Sequence, residues 1–127
     1  MKLWLGPKEI TAELAISDVE RNTGMMFRDK MEENEGMLFI FGGPALVSFY
    51  MKNTYVPLSC AYIGPDGTIL EIHDLKPLDE TPVYAKTDQI QYVLEVNQGW
   101  FQRHKIGVGT VLRTEKGSLQ ETFFRRR

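Results

Sequence analysis

The run SFYMKNTYVPLSCAYIGPDG, Ser48 to Gly67, decides the fold. Val47, Phe49 and Met51 alternate with Ser48, Tyr50 and Lys52, giving one apolar and one polar face at the two-residue period of a half-buried strand. Asn53-Thr54 begins a corner, since short polar side chains of this kind satisfy local backbone groups. Pro57 cannot donate to a central ladder and so stands at the start of the next strand, Leu58 to Ile63. Gly64-Pro65-Asp66-Gly67 is a turn in which Pro is preset for the second position and Gly supplies a positive φ. Thr68 to Asp74 then returns antiparallel to Leu58–Ile63.

Outward from this run, the N-terminal side reads as two strands, Lys2 to Leu5 and Ile10 to Ile16, joined through Gly6-Pro7. Ser17 opens a helix with Glu20 three residues on, a capping box in which hydroxyl and carboxylate each satisfy an orphan backbone N–H. Val19, Thr23, Met26 and Phe27 are expected on the inward face of that helix, with Arg21 and Arg28 two turns apart on one side. Gly24 inside a helix costs about 1 kcal/mol relative to Ala, so it marks close approach to a neighbouring strand. Asp29 to Gly36 is a polar loop without calcium-loop spacing. Met37 to Phe41 is short and continuously apolar, as a strand buried on both faces is.

On the C-terminal side, Leu75 to Gln89 carries Pro77 and Pro82 and little periodicity, and reads as a long irregular connection. Gln91 to Asn97 alternates again, with Tyr92, Leu94 and Val96 opposite Gln91, Val93, Glu95 and Asn97: an amphipathic strand. Gln98 to Lys105 reads as two turns of helix that bring Trp100, Phe101 and His104 together, and Thr110 to Arg113 as a last strand. From residue 114 to Arg125-Arg126-Arg127 the chain reads as a frayed tail. The expected fold class is mainly β (α+β), a small antiparallel barrel-like sheet with one or two short helices. It forms one domain over 1–127, with its core at about 2–113.

Of the 127 residues, 43% are apolar, enough to bury a core without disulfides or metal staples. Fifteen Lys and Arg stand against 17 Asp and Glu, a formal charge of -2, so no global basic field draws a nucleic-acid backbone and no nucleic-acid partner is expected. Cys60 is the one cysteine, lies in an apolar strand and reads as an inert buried thiol. No window approaches the length of a transmembrane helix, and the N-terminus lacks the apolar region of a secretion signal. Compartment and oligomeric state stay open.

Five blocks in order, ERNTGMMFRD, GMLFIF, SFYMKNTYVPLSCAYIGPDG, YVLEVNQG and GVGTVL, resemble domain of unknown function 192 over about residues 10 to 112. The resemblance implies a compact, mostly β fold, a small barrel with short helices, in an uncharacterised family whose bacterial and archaeal members often look exported. Its pattern falls on Glu20, Arg21, Gly24, Met26, Phe27 and Arg28; on Gly36, Met37 and Phe39; on Phe49, Met51 to Thr54, Pro57 and Leu58; and on Tyr92, Leu94, Glu95 and Gly99. Two positions depart: Tyr50 stands where relatives show Trp, and Ser59 where they show Asp.

Three functions follow from the residue types. Lys52, Asn53 and Thr54 at a strand end, with Arg28 and Glu95, supply a cation, an amide, a hydroxyl and a carboxylate for a small polar or anionic ligand such as a glycan fragment. The same Asn53 and Thr54 equally serve the corner's own backbone, and Arg28 can pair with Glu95 or Glu20. A hydrolase working through Glu71 and His73, which share a strand face, or through an acidic pair that includes Glu95, is the second reading. A protein interaction module without a small-molecule site is the third. His73 and His104 are the two histidines and no zinc spacing occurs, so neither metal nor cofactor is expected.

Overall fold

The computed structural model describes residues 1–125. Its elements, in chain order, are β1 Lys2–Leu5, β2 Lys8–Ala15, α1 Asp18–Thr23, β3 Glu35–Ala45, β4 Ser48–Phe49, β5 Leu58–Ile63 and β6 Ile69–Leu75. They continue with β7 Val83–Tyr84, β8 Ile90–Asn97, α2 Trp100–Arg103, β9 Leu112–Thr114, β10 Gly117–Ser118 and α3 Leu119–Phe123. Eight strands form one sheet in the order β10-β9-β1-β2-β3-β8-β5-β6, while β4 and β7 pair separately. The protein is therefore mostly β with three short helices. The sheet is mixed rather than wholly antiparallel, because β2 and β3 run parallel, Thr11 beside Glu35 through Ala15 beside Phe39. A parallel pair needs a crossover connection, and α1 with the loop after it supplies one. The sheet bends round until Thr68 meets Val111 in an isolated bridge, but it does not close into a barrel.

β8 lies between β3 and β5, and this central place decides its burial. Every residue from Ile90 to Val96 is buried, so the strand is not amphipathic as its alternation predicts. The alternation instead sorts its residues between two cores. Tyr92, Leu94 and Val96 join Leu38, Ala61 and Trp100 on one face; Val93 joins Phe39, Cys60, Tyr62 and Met51 on the other. Glu95 shares the second face by parity.

The helix at Ser17 forms with its capping box complete, Glu20 N–H donating to Ser17 Oγ and Ser17 N–H to Glu20 Oε1. It is shorter than expected. Gly24 caps it at φ +48°, and a Cβ there would sit 3.4 Å from the Phe39 ring, so the chain leaves the helix before Met26, Phe27 and Arg28. The expected inward face is accordingly absent: Val19 is 74% and Phe27 65% exposed, and Met25 is the buried residue of this segment. Arg21 anchors α1 instead, donating to Ile16 O and Ile40 O with its guanidinium over the Phe41 ring.

Around the opening run, burial alternates as expected, with Val47 and Met51 buried and Tyr50 exposed. Within residues 47–52 only Ser48–Phe49 pairs as a strand, and its partner Val83–Tyr84 comes from the connection read as irregular. The Gly64–Gly67 turn closes by Gly67 N–H to Gly64 O at 3.0 Å.

The segment expected to fray forms β10 and α3. Ser118 and Glu121 make a second capping box, and Leu119 is fully buried, while Phe123 and Phe124 pack on Tyr92. Arg126 and Arg127 lie outside the described residues. Ser118→Ala removes the cap and lowers stability by about 1 kcal/mol, read by urea denaturation; an unchanged midpoint would show that α3 adds nothing to the fold.

Candidate functional site

Glu95 sits in the middle of β8, level with Met37 on β3 and Cys60 on β5, and is 3% exposed. Beside it a cavity of about 240 Å³ is lined by Met25, Phe39, Phe49, Met51, Thr54 and Glu95 itself. Burial pushes the Glu95 carboxyl up to about 8 from an ordinary 4.5. Among the described residues no hydrogen bond or ion pair offsets that burial. A carboxyl left unpartnered in an apolar wall is costly to the fold, and here it faces a space rather than a neighbour.

Next to the lining residues Met51 and Thr54, three loops are tied at the Asn53-Thr54 corner. Phe27 N–H donates to Asn53 O at 2.8 Å, Leu78 N–H to Thr54 O at 3.1 Å, and Met51 N–H to Asp79 O at 2.8 Å. Phe27, Asn53 and Leu78 all adopt left-handed backbone, at φ 66°, 53° and 63°. Asn tolerates that region, whereas Phe and Leu do so at a cost of order 1 kcal/mol each. Thr54 Oγ1 donates to Lys52 O at 3.0 Å, so its hydroxyl proton serves the corner while its oxygen stays free to accept.

Of the residues singled out for ligand binding, Thr54 and Glu95 line this one cavity. Lys52 is exposed and Asn53 half-buried at the corner, outside the lining. Arg28 lies beyond the end of α1 and pairs with Glu13 at 2.5 Å, not with Glu95 or Glu20. The arginine that lines the cavity is Arg21, and its guanidinium is already taken by two carbonyls and by Asp18 Oδ1 at 2.6 Å.

Glu71 and His73 are brought together on β6, His73 Nε2 lying 2.8 Å from Glu71 Oε1. Burial raises the Glu71 carboxyl, but the bonds from His73 and from Lys86 N–H outweigh it and hold the group below its ordinary value. Neither residue lines the cavity over Glu95. On the other face Asp74 Oδ1 accepts from Ser59 Oγ at 2.7 Å, and Ser59 Oγ accepts from Gly99 N–H at 3.0 Å. Ser59 thus joins β6 to the turn before α2. Cys60 is fully buried; burial, with Glu95 beside it, pushes its thiol far up, which closes thiolate chemistry. Trp100 and His104 stack at 4.5 Å, and His104 and Arg103 both reach Glu33. Among the described residues no group of three or more His, Cys, Asp or Glu is placed to hold a metal ion, and no helix is long and apolar enough to cross a membrane.

Sequence reasoning reached Glu95 and Thr54 but missed the apolar wall of Met25, Phe39, Phe49 and Met51. The available signal was YVLEV in β8, one carboxylate in a run otherwise fit for burial on both faces.

Two solved structures share the fold closely. One, from Sinorhizobium meliloti 1021, is provisionally assigned as a transcription regulator; it is 36% identical, with a TM-score of 0.83, over 88% of this chain and 89% of its own. The other, a protein of unknown function from Novosphingobium aromaticivorans DSM 12444, is 31% identical, with a TM-score of 0.84, over 89% of this chain and 84% of its own. Among curated proteins none matches. The profile of domain of unknown function 192 (DUF192), described as an uncharacterized ACR, matches residues 2–114, and the chain belongs to that family.

Proposed function

We propose that this protein is a small-molecule binding domain whose ligand enters the cavity over Glu95 and presents a hydrogen-bond donor to that carboxyl. One observation carries the reading: a 3% exposed, unpartnered carboxyl lines a cavity whose other walls combine Met25, Phe39, Phe49 and Met51 with polar Asn22, Ser48 and Thr54. Binding sites of this kind combine an apolar body with a few convergent polar groups. An anionic ligand is disfavoured, because Arg21 and Arg28 are engaged by internal carboxylates and the group left over is itself acidic. A glycan fragment stays within the class, since Phe39, Phe41, Phe49 and Tyr50 beside a carboxyl suit a sugar ring. The Glu71–His73 contact supports a hydrolase only weakly, as it lies apart from this cavity. A nucleic-acid role like that assigned provisionally to one relative draws no support from the charge of -2, nor from helices of six, four and five residues, shorter than a groove-reading helix.

The test is a thermal-shift screen of amines, alcohols, sugars, phosphates and nucleotides, followed by methionine-methyl NMR of every hit. A ligand at 100 times its Kd adds about 2.7 kcal/mol. The methyls of Met25, Met26 and Met51, which line the cavity, should shift while those of Met1 and Met31, which line a separate hollow, stay put. Hits that move only Met1 and Met31, or a screen without hits, would overturn the reading.

A further inference from the structure

We propose that the ligand of this cavity is an organic ammonium ion, a primary amine on a compact apolar body, with Glu95 as its counter-charge. The inference rests on the binding reading above and narrows it to one chemical class.

Three of the polar side chains that line the cavity, beside Asn22, Thr23 and Ser48, are mismatched in a specific way. Arg21, the cation of the lining, has its guanidinium bound to Ile16 O, Ile40 O and Asp18 and stacked 5.3 Å over Phe41. It has been neutralised locally. Glu95, the acid of the lining, has no partner among the described residues. Thr54 has given its proton to Lys52 O, so toward the cavity it can only accept. Once ionised, Glu95 offers only acceptors beside the accepting Thr54 oxygen, which suits a head rich in donors. An ammonium carries three donors and the charge that pairs with an ionised carboxylate, whereas a hydroxyl brings one donor and no charge.

The remaining walls agree with a cation. Phe39 and Phe49 meet edge to face at 4.8 Å, and Phe41 and Phe49 at 6.5 Å. The ring faces of such a cluster attract positive charge and repel negative charge. Met25 and Met51 add polarisable thioethers that fit an alkyl or aryl body of variable outline. On the same face of the sheet Glu71 and His73 of β6 are paired with each other and Glu13 of β2 with Arg28, which leaves Cys60 and Tyr62 of β5. Burial pushes both upward, so they stay neutral and do not compete for the charge.

The reading has a chemical signature that neutral binding lacks. Burial favours the protonated form of Glu95 in the empty cavity; an ammonium that pairs with it drives that proton off, so binding releases up to one proton. The experiment is isothermal titration of the full chain with 2-phenylethylamine, 2-phenylethanol and phenylacetate. It is run in two buffers of different ionisation enthalpy and repeated on Glu95→Gln, with methionine-methyl NMR reporting where each compound sits. The amine should bind at least about tenfold tighter than the alcohol, the margin of one charge-assisted hydrogen bond, with proton release and with phenylacetate weakest. In Glu95→Gln that preference and the proton release should vanish. If the alcohol matches the amine, the ammonium class is overturned, yet shifts at Met25 and Met51 would keep the cavity reading. If none of the three compounds moves those methyls and the wider screen is silent, both fall.

Discussion

Glu95→Gln stabilises the folded chain by about 4 kcal/mol at pH 9 and changes it little at pH 4. In the unfolded chain this carboxyl titrates near its ordinary 4.5, and burial moves it up to about 8 on folding. Between those values the folded state holds a proton that the unfolded state has lost, so stability falls as pH rises through that window. Above it the folded chain carries an ionised carboxylate beside Met51 and Phe39, and the full penalty applies. Glutamine has the same shape and no charge to desolvate. Its amide is no worse satisfied than the neutral carboxyl of the parent at pH 4. Carboxylates held low by their partners, among them Glu71 and Glu33, weaken both proteins alike in acid and cancel in the comparison. Urea denaturation of both chains from pH 4 to pH 9 measures the difference; parallel profiles would mean that Glu95 is not buried as described. A residue that costs stability at neutral pH and above, and that one atom's replacement relieves, fits a site kept for binding rather than for folding.

Gly36→Ala lowers stability by about 3 kcal/mol. Gly36 stands in β3 opposite Val96 of β8 and beside Ala12 of β2. A Cβ built there meets Glu95 O at 2.7 Å, Val96 Cγ1 at 3.2 Å and Ile10 Cδ1 at 3.4 Å. The first of these is backbone in a central ladder and cannot swing aside, so β8 must move, and with it the carboxyl on the cavity wall. Ligand response should therefore weaken along with the denaturation midpoint. Gly42→Ala is the control: nothing lies within 4 Å of a Cβ there and its φ is not in the left-handed region, so it should stay within about 0.5 kcal/mol of the parent. Equal effects of the two substitutions would contradict the packing between β3 and β8.

Local chemistry accounts for what the sequence made legible. The strand after Pro57, the Gly64–Gly67 turn and the Ser17–Glu20 cap each depend on residues within a few positions of one another, and each stands where it was expected. Ser118 and Glu121 carry the same signal as Ser17 and Glu20; the tail was misjudged because its charged end outweighed that spacing. What could not be read locally is which strands become neighbours. The parallel pairing of β2 with β3 places α1 at the crossover, and the position of β8 between β3 and β5 turns an apparently polar face inward. Glu95 thus looked like a surface carboxylate by alternation and a ligand residue by family pattern. Arg28 was read one turn too far along a helix that Gly24 had already ended.

The corner at Asn53 and Thr54 has a mechanical meaning as well. Its two carbonyls each carry the amide of a different loop, Phe27 on one and Leu78 on the other, both held in left-handed backbone. Such loops do not rest there unaided, so a disturbance of the corner slackens both together. A substitution that weakens the corner should therefore loosen the backbone at residues 27 and 78 together rather than at either alone.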